Sequence, residues 1–393
     1  MNGTIYMPVG EVCSSISDTY REKKNMVTLI NTSDVLEGRV LNHERVPNSN
    51  LKGQFKKTFQ RDDILYSEIR PQNRRFAYVD FSPIDYIAST KLMVIRAKKD
   101  VVSPKYLYYF LKNSSTVAEL QLLAETRSGT FPQITFSEVA NLTIPVPSLA
   151  VQEVIVQTMQ CLEDKTICNE QINDNLEQQA QSYFQELFVD NADPEWTTGT
   201  ISDLGTVVGG STPSKAKPEY YTESGIAWIT PKDLSNNKSK FVSHGENDIT
   251  ELGLRNSSAS IMPEGTVLFS SRAPIGYIAI AAGEVTTNQG FKSVVPKPEI
   301  GTPFVYFFLK NTLPVIEGMA SGSTFKEVSG STMKNVPAVI PDAETLAKFS
   351  DFCAPIFAQQ RILEEQNQSL ATLRDNLLPK LMSGEIDVSA VQL

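Results

Sequence analysis

From Ser148 to Asp193 the chain contains neither Gly nor Pro, although it has 21 and 22 of them in all. In the second half of this stretch Ile172, Leu176, Tyr183 and Leu187 recur at intervals of four or seven, separated by Glu, Gln, Asp and Asn. That is the apolar stripe of a long helix with a polar remainder. A second such stretch runs from Ala343 to Met382, where Phe349, Phe352, Ile356, Leu363, Leu370, Leu373 and Leu377 approach a coiled-coil seam. Its stripe is the cleaner, because Asn169 and Gln179 of the first helix align with Leu363 and Leu373. Pro355 and Pro379 predict a kink or an end within it. Neither helix covers its own apolar face, so each needs the other and a partner.

Between these helices the chain repeats itself. Tyr106-Leu-Tyr-Tyr-Phe-Leu-Lys-Asn113 matches Phe304-Val-Tyr-Phe-Phe-Leu-Lys-Asn311, each following a Pro and each reading as the opening of a buried helix. Gly129-Thr-Phe131 matches Gly322-Ser-Thr-Phe325, and Leu142–Pro147 matches Val336–Pro341, a short strand before the long helix. From Phe131 and Phe325 onward the register holds at 194 residues. Upstream, Asp63–Ser67 pairs with Gly265–Ser271, Val27–Asp34 with Ile226–Asp233, and Val9–Cys13 with Ile201–Gly205. Short β-branched and aromatic runs bounded by Gly, Pro, Asn and Ser predict strands, so each block mixes helix and sheet. The expected class is α+β: two similar blocks, 1–147 and 191–341, alternating with helices at 148–190 and 342–393. Residues Asp190–Pro194 read as a linker, and 383–393 as a loosely held strand or a disordered tail.

The 41% hydrophobic and 21% charged content is that of a globular protein with a core. No apolar run approaches a membrane span, and the start lacks the pattern of a signal peptide, so a cytoplasmic protein without a membrane partner is expected. The net charge of −9 is unevenly spread: +4 over 1–147, −7 over 148–190, −2 over 191–341 and −4 over 342–393. The acidity therefore belongs mostly to the helices, which leaves the blocks compatible with nucleic acid. Cys13, Cys161, Cys168 and Cys353 lack metal or redox spacing and are expected to be reduced and packed, and no metal site is expected.

Catalytic patterns are missing. His43 and His244 are the only histidines, and there is no GxSxG, phosphate loop, GxGxxG after a strand, or HExxH. No catalytic residue is expected. The neighbouring pairs Asp62-Asp63 and Glu364-Glu365 read as solvated surface. What remains are donor-rich loops. Arg70-Pro-Gln-Asn-Arg-Arg75 sets Arg70, Asn73, Arg74 and Arg75 together, and Arg with Asn or Gln is the mixture that reads base edges. Arg21, Lys23, Lys24, Lys56 and Lys57 are suited to phosphates, and Arg127, Ser128, Thr130 and Gln133 line a flexible loop. The second block offers Ser211, Thr212, Lys215 and Lys217, then Lys232, Arg272, Asn288, Gln289, Lys292, Ser321, Ser323 and Lys326.

The chain resembles the DNA-specificity subunits of type I restriction–modification enzymes. The resemblance covers essentially its whole length. It rests on Gly210-Ser-Thr-Pro213 followed by Tyr220-Tyr221, on Ile226-Ala-Trp-Ile-Thr-Pro-Lys-Asp-Leu234, and on Pro263-Glu-Gly-Thr-Val-Leu-Phe-Ser-Ser-Arg272. Leu377-Leu-Pro-Lys-Leu-Met-Ser-Gly-Glu-Ile386 is its most specific string. The first block departs from the pattern, having Ser17-Asp-Thr-Tyr20 near the place of Gly-Ser-Thr-Pro. The resemblance implies that the blocks are target-recognition domains, each reading a half-site on double-stranded DNA. The helices would pack antiparallel with a pseudo-two-fold repeat, about 38 residues or roughly 57 Å acting as a ruler. They would dock two methyltransferase subunits through Ile172, Leu176, Tyr183, Leu187, Leu363, Leu370, Leu373 and Leu377. S-adenosylmethionine, ATP and Mg would belong to those subunits and to restriction subunits, so this chain would not itself be an enzyme. Two other readings stand beside this one, a coiled-coil scaffold with protein-binding blocks and a stand-alone nucleic-acid methyltransferase.

Overall fold

The computed structural model describes residues 4–22, 24–49, 53–126, 132–322 and 326–388. Both long helices form. The central helix spans Leu149–Gln185 and ends in a single wide turn over Glu186–Asp190. The C-terminal helix runs unbroken over Ala343–Ser383, so it does not end at Pro355 or Pro379. Each proline is exposed and forfeits one backbone bond. Beside Pro355, Cys353, Ile356 and Phe357 enter one core, and beside Pro379, Leu378, Leu381 and Met382 enter another.

The chain forms two compact units whose boundaries fall inside both helices: 1–166 with 369–393, and 167–368. Each block is therefore built together with part of each helix. In the first unit Ile155, Val156 and Met159 of the central helix join Leu378, Leu381 and Met382 of the C-terminal helix around Tyr106–Leu111. Ile386 and Val388 pack on the same core, so that part of the tail is held. In the second unit the helices run antiparallel, with Tyr183 against Phe352 (centroids 4.5 Å apart) and Phe188 against Phe349 (5.1 Å). Asn169, aligned with Leu363 by the repeat, is fully buried and donates from Nδ2 to Asn367 Oδ1 at 2.8 Å.

The repeat extends to sheet topology. In the first block one sheet has the order Cys13–Ile16, Leu92–Ala97, Ile64–Ser67, Phe76–Tyr78. In the second, Gly205–Gly209, Lys292–Pro296, Val267–Ser271 and Ile275–Ala281 take the same places. A smaller sheet repeats as well: Arg45–Pro47, Met26–Ile30 and Tyr86–Ser89 correspond to Asn247–Ile249, Ile226–Ile229 and Thr286–Thr287. The last two strands of each trio are parallel. Asn31 with Asp34 and Thr230 with Asp233 cap the turns after the matching strands reciprocally, which explains why an Asp recurs there. Antiparallel pairs Ile5–Pro8 with Thr143–Val146, and Thr197–Thr200 with Pro337–Ile340, close each block at its ends.

One edge differs. Phe241–Val242 adds a parallel strand beside Ile275–Ala281 in the second block, where the described residues of the first have only a single parallel bridge from Gly38 to Ala77.

Two expectations about acidic pairs are overturned. Asp63 is fully buried and takes a two-pronged bond from Arg96, Nε to Oδ1 at 2.7 Å and Nη2 to Oδ2 at 2.8 Å. Glu364 is part-buried and accepts backbone N–H groups from Lys240 and Phe241. Glu364 and Glu365 point to different sides of their helix, and Asp62 (φ 73°) and Asp63 sit in the turn before Ile64–Ser67, so one of each pair can turn inward. Cys161 and Cys168 are exposed rather than packed, because they lie off the buried face of the central helix; Cys13 and Cys353 are buried.

Candidate nucleic-acid interface

In the second block the Gly-Ser-Thr-Pro string and the turn after Thr286–Thr287 hold each other. A Cβ on Gly210 would stand 1.9 Å from the Asn288 carbonyl oxygen, so only glycine lets the two backbones approach this closely. Ser211 N–H donates to the Thr287 carbonyl at 2.8 Å, and the Trp228 indole donates to the Ser211 carbonyl at 3.0 Å. Tyr221 donates its hydroxyl to the Pro213 carbonyl at 2.6 Å. Thr212 donates to the Gln289 side-chain oxygen, and Asn288 closes its own turn by accepting from Gly290 N–H at 2.8 Å.

Around this clasp lies a concavity of about 480 Å³. Thr212, Lys215, Lys232, Arg272, Asn288 and Gln289 all line it, drawn from four separate stretches of chain. Glu246 lines it too, ion-paired with Lys232, so the wall carries both signs of charge. Arg272 also borders a neighbouring cavity of about 700 Å³, shared with Lys326 and Glu327. Glu327 holds Arg272 Nη1 at 3.4 Å and stands 3.9 Å from Lys292. Burial pushes the Lys292 ammonium below its ordinary value, and it donates to the Gln289 and Phe291 carbonyls. Ser321 is exposed and bridges to Glu327 through backbone bonds. Lys217 lies apart from the concavity's lining, 3.7 Å from Glu219, and Ser323 is outside the described residues.

The first block gathers less. Arg70 and Arg74 flank the short Pro71–Asn73 turn, both with positive φ (46° and 51°), a strained placement for side chains with a Cβ. Arg70 and Asn73 are exposed. Arg74 donates to Ser114 Oγ at 2.9 Å, and Arg75 donates to the Ser33 carbonyl at 3.0 Å. Lys57 turns inward to the Thr90 and Leu92 carbonyls, and burial pushes its pKa down. Gln133 accepts from Lys91 at 3.2 Å. Arg21, Lys24 and Lys56 are exposed, Lys24 beside Glu22 at 3.9 Å. Lys23, Arg127, Ser128 and Thr130 are outside the described residues. Trp228, Glu246, Glu327 and Lys91 were not among the expected contacts, although Trp228 lies in the Ile226–Leu234 string and Glu327 adjoins Lys326.

On the helices, Leu176, Tyr183 and Leu187 pack against the second core, Leu377 packs against the first, and Leu363 is buried. Leu370 is half-buried. Ile172 and Leu373 remain at 40% and 45% exposed.

A clasp that presents amides, hydroxyls and cations on a loop-lined concavity, in one of two blocks of like topology, is an arrangement suited to recognition. Sequence comparison agrees: residues 6–178 and 194–373 each match the type I restriction modification DNA specificity domain. The chain belongs to that family. It is 29% identical to the HindI specificity subunit of Haemophilus influenzae, over 92% of this chain and 94% of that one. It is 39% identical over 194 residues to the MjaIX specificity subunit of Methanocaldococcus jannaschii, covering 47% and 45% of the two. The fold is that of the type I restriction-modification S subunit from M. genitalium (TM-score 0.54, 17% identity, 97% and 96% covered). No described helix is long and apolar enough to cross a membrane.

Proposed function

We propose that each block reads one half of a bipartite target on double-stranded DNA. In this reading the helix pair sets the unread spacer and docks two methyltransferase subunits. The observation behind it is the convergence of Thr212, Lys215, Arg272, Asn288 and Gln289 on one concavity of a duplicated block. Its wall carries mixed charge, which suits base edges, whereas uniformly basic surfaces suit phosphates. The outlying exposed Lys24, Lys56 and Lys326 fit the backbone role. Adenine methylation with S-adenosylmethionine, and ATP- and Mg-dependent cleavage, belong to methyltransferase and restriction partners. This chain supplies the address.

The test is DNA binding and methylation by the full chain with its methyltransferase partner. Binding should weaken steeply with salt. Arg272→Ala should lower affinity by about 1–3 kcal/mol and relax one half-site only, which is the signature of a base contact. Unchanged affinity and unchanged methylated motif on losing both Arg70 and Arg272 would favour a protein-binding scaffold instead.

A further inference from the structure

Lys240, at the start of the Phe241–Val242 strand, is 7% exposed and takes no part in the interface above. Its ammonium donates to Glu177 Oε2 at 2.7 Å and Gln360 Oε1 at 2.8 Å. It also lies over the rings of Phe357 (3.6 Å) and Tyr306 (4.5 Å). Glu177 accepts from Lys310 and from the Tyr306 hydroxyl as well. Glu364 completes the network, accepting the N–H of Lys240 on one oxygen (2.7 Å) and that of Phe241 on the other (3.0 Å). One residue of the central helix and two of the C-terminal helix thus grip a single strand of the second block. That strand pairs with Ile275–Ala281, which begins three residues after Arg272.

Apolar residues of similar volume would often stabilise a core as well as such a network does. What buried ions add is geometry: apolar faces tolerate sliding, whereas Lys240 and Glu364 are satisfied in one position only.

We infer that Lys240, Glu177 and Glu364 are positioning residues that fix where the second block sits along the helix pair, and thereby hold the target to one spacer length. This rests on the bipartite reading above. The test uses the full chain with its methyltransferase partner on a plasmid library carrying the two half-sites at graded spacers. The variant is Lys240→Met with Glu177→Gln, which removes both charges so that neither is left buried alone. Half-site sequences should be kept. Methylation at spacers one base pair (about 3.4 Å) longer or shorter should rise about tenfold relative to the parental spacer. A folded double variant, with parental circular dichroism, that remains as strict as the parent overturns the inference. Glu364→Gln, which keeps one acceptor for the strand, supplies a milder second variant, expected to loosen the spacer by a smaller factor; full strictness there counts equally against it. Failure of the unmodified chain with its methyltransferase partner to methylate any bipartite target overturns the parent reading, and this one with it.

Discussion

Lys112 and Lys310 hold the same place in the repeated Tyr/Phe-rich helix, and both reach a glutamate of the central helix. The glutamates are not equivalent. Lys112 pairs with Glu163, which also accepts from Tyr109 at 2.7 Å, and Lys310 pairs with Glu177. In the 194-residue register Glu163 aligns with Phe357 and Glu177 with Ala371. The second block uses Phe357 instead as a ring for Lys240 to lie on. On the matching edge of the first block the backbone itself passes over the tyrosine: a Cβ on Gly38 would stand 2.2 Å from the Tyr108 hydroxyl, and its φ is +105°. Duplication kept the fold and the lysine. The acid that meets it was settled separately, and the matching edge is held by close backbone contact at Gly38 in one block and by a buried ionic network around Lys240 in the other.

That contrast can be broken most severely at Glu177. Glu177→Ala strands Lys240 among aromatic rings and should destabilise the second unit by about 3–5 kcal/mol. Glu163→Ala leaves Lys112 and the Tyr109 hydroxyl unpaired at a more open site and should cost the first unit about 1–3 kcal/mol. Denaturant unfolding followed by hydrogen exchange assigns each loss to its unit; equal losses would mean the two seats are alike after all. Gly38→Ala should follow, at about 3 kcal/mol in the first unit, from left-handed strain plus the clash with Tyr108. A neutral result there would remove the close-contact account.

The smallest effect is the dependence on pH. Burial pulls the Lys240 pKa down from 10.5 to about 8, although Glu177 opposes it. Below pH 8 both folded and unfolded chains carry the proton, and the burial penalty is fully felt. Between about 8 and 10.5 the unfolded chain binds more protons, so this lysine's contribution to stability rises with pH. Glu177, held below its ordinary value by Lys240 and Lys310 against the opposing effect of burial, stays charged throughout, and Tyr306 stays neutral. Glu364, which burial raises, and the Cys353 thiol also face the network. Melting temperatures from pH 7 to 9.5 should therefore fall less for the parent chain than for Lys240→Met. Parallel curves would show that Lys240 keeps its proton.

Much of this was legible in the sequence because repeats and helix stripes are local patterns. Leu176 and Tyr183 pack against the second core and Leu363 is buried, as the stripe predicts, and the Tyr/Phe-rich helices sit within the cores. What escaped was inward-facing polarity. Asn169, Glu177, Lys240, Asp63 and Glu364 look like surface residues by composition, and only their partners, tens to hundreds of residues away, make burial tolerable. The candidate interface was legible only as residue types. Its donors were recognisable as types, but Arg74, Arg75 and Lys57 bond to their own block, which no list of residue types discloses.

The two exposed cysteines have a practical consequence. Cys161 and Cys168 lie seven residues, about 10.5 Å, apart on one helix, and the boundary between the compact units falls between them, after Thr166. Burial pushes the thiols of Cys13 and Cys353 up to about 12, so at neutral pH they stay unreactive. Paired probes on the two surface thiols therefore make a strain gauge that the chain already carries. A constant separation on adding DNA and partner means the helix stays wound between Cys161 and Cys168, whereas a lengthened one means it unwinds there.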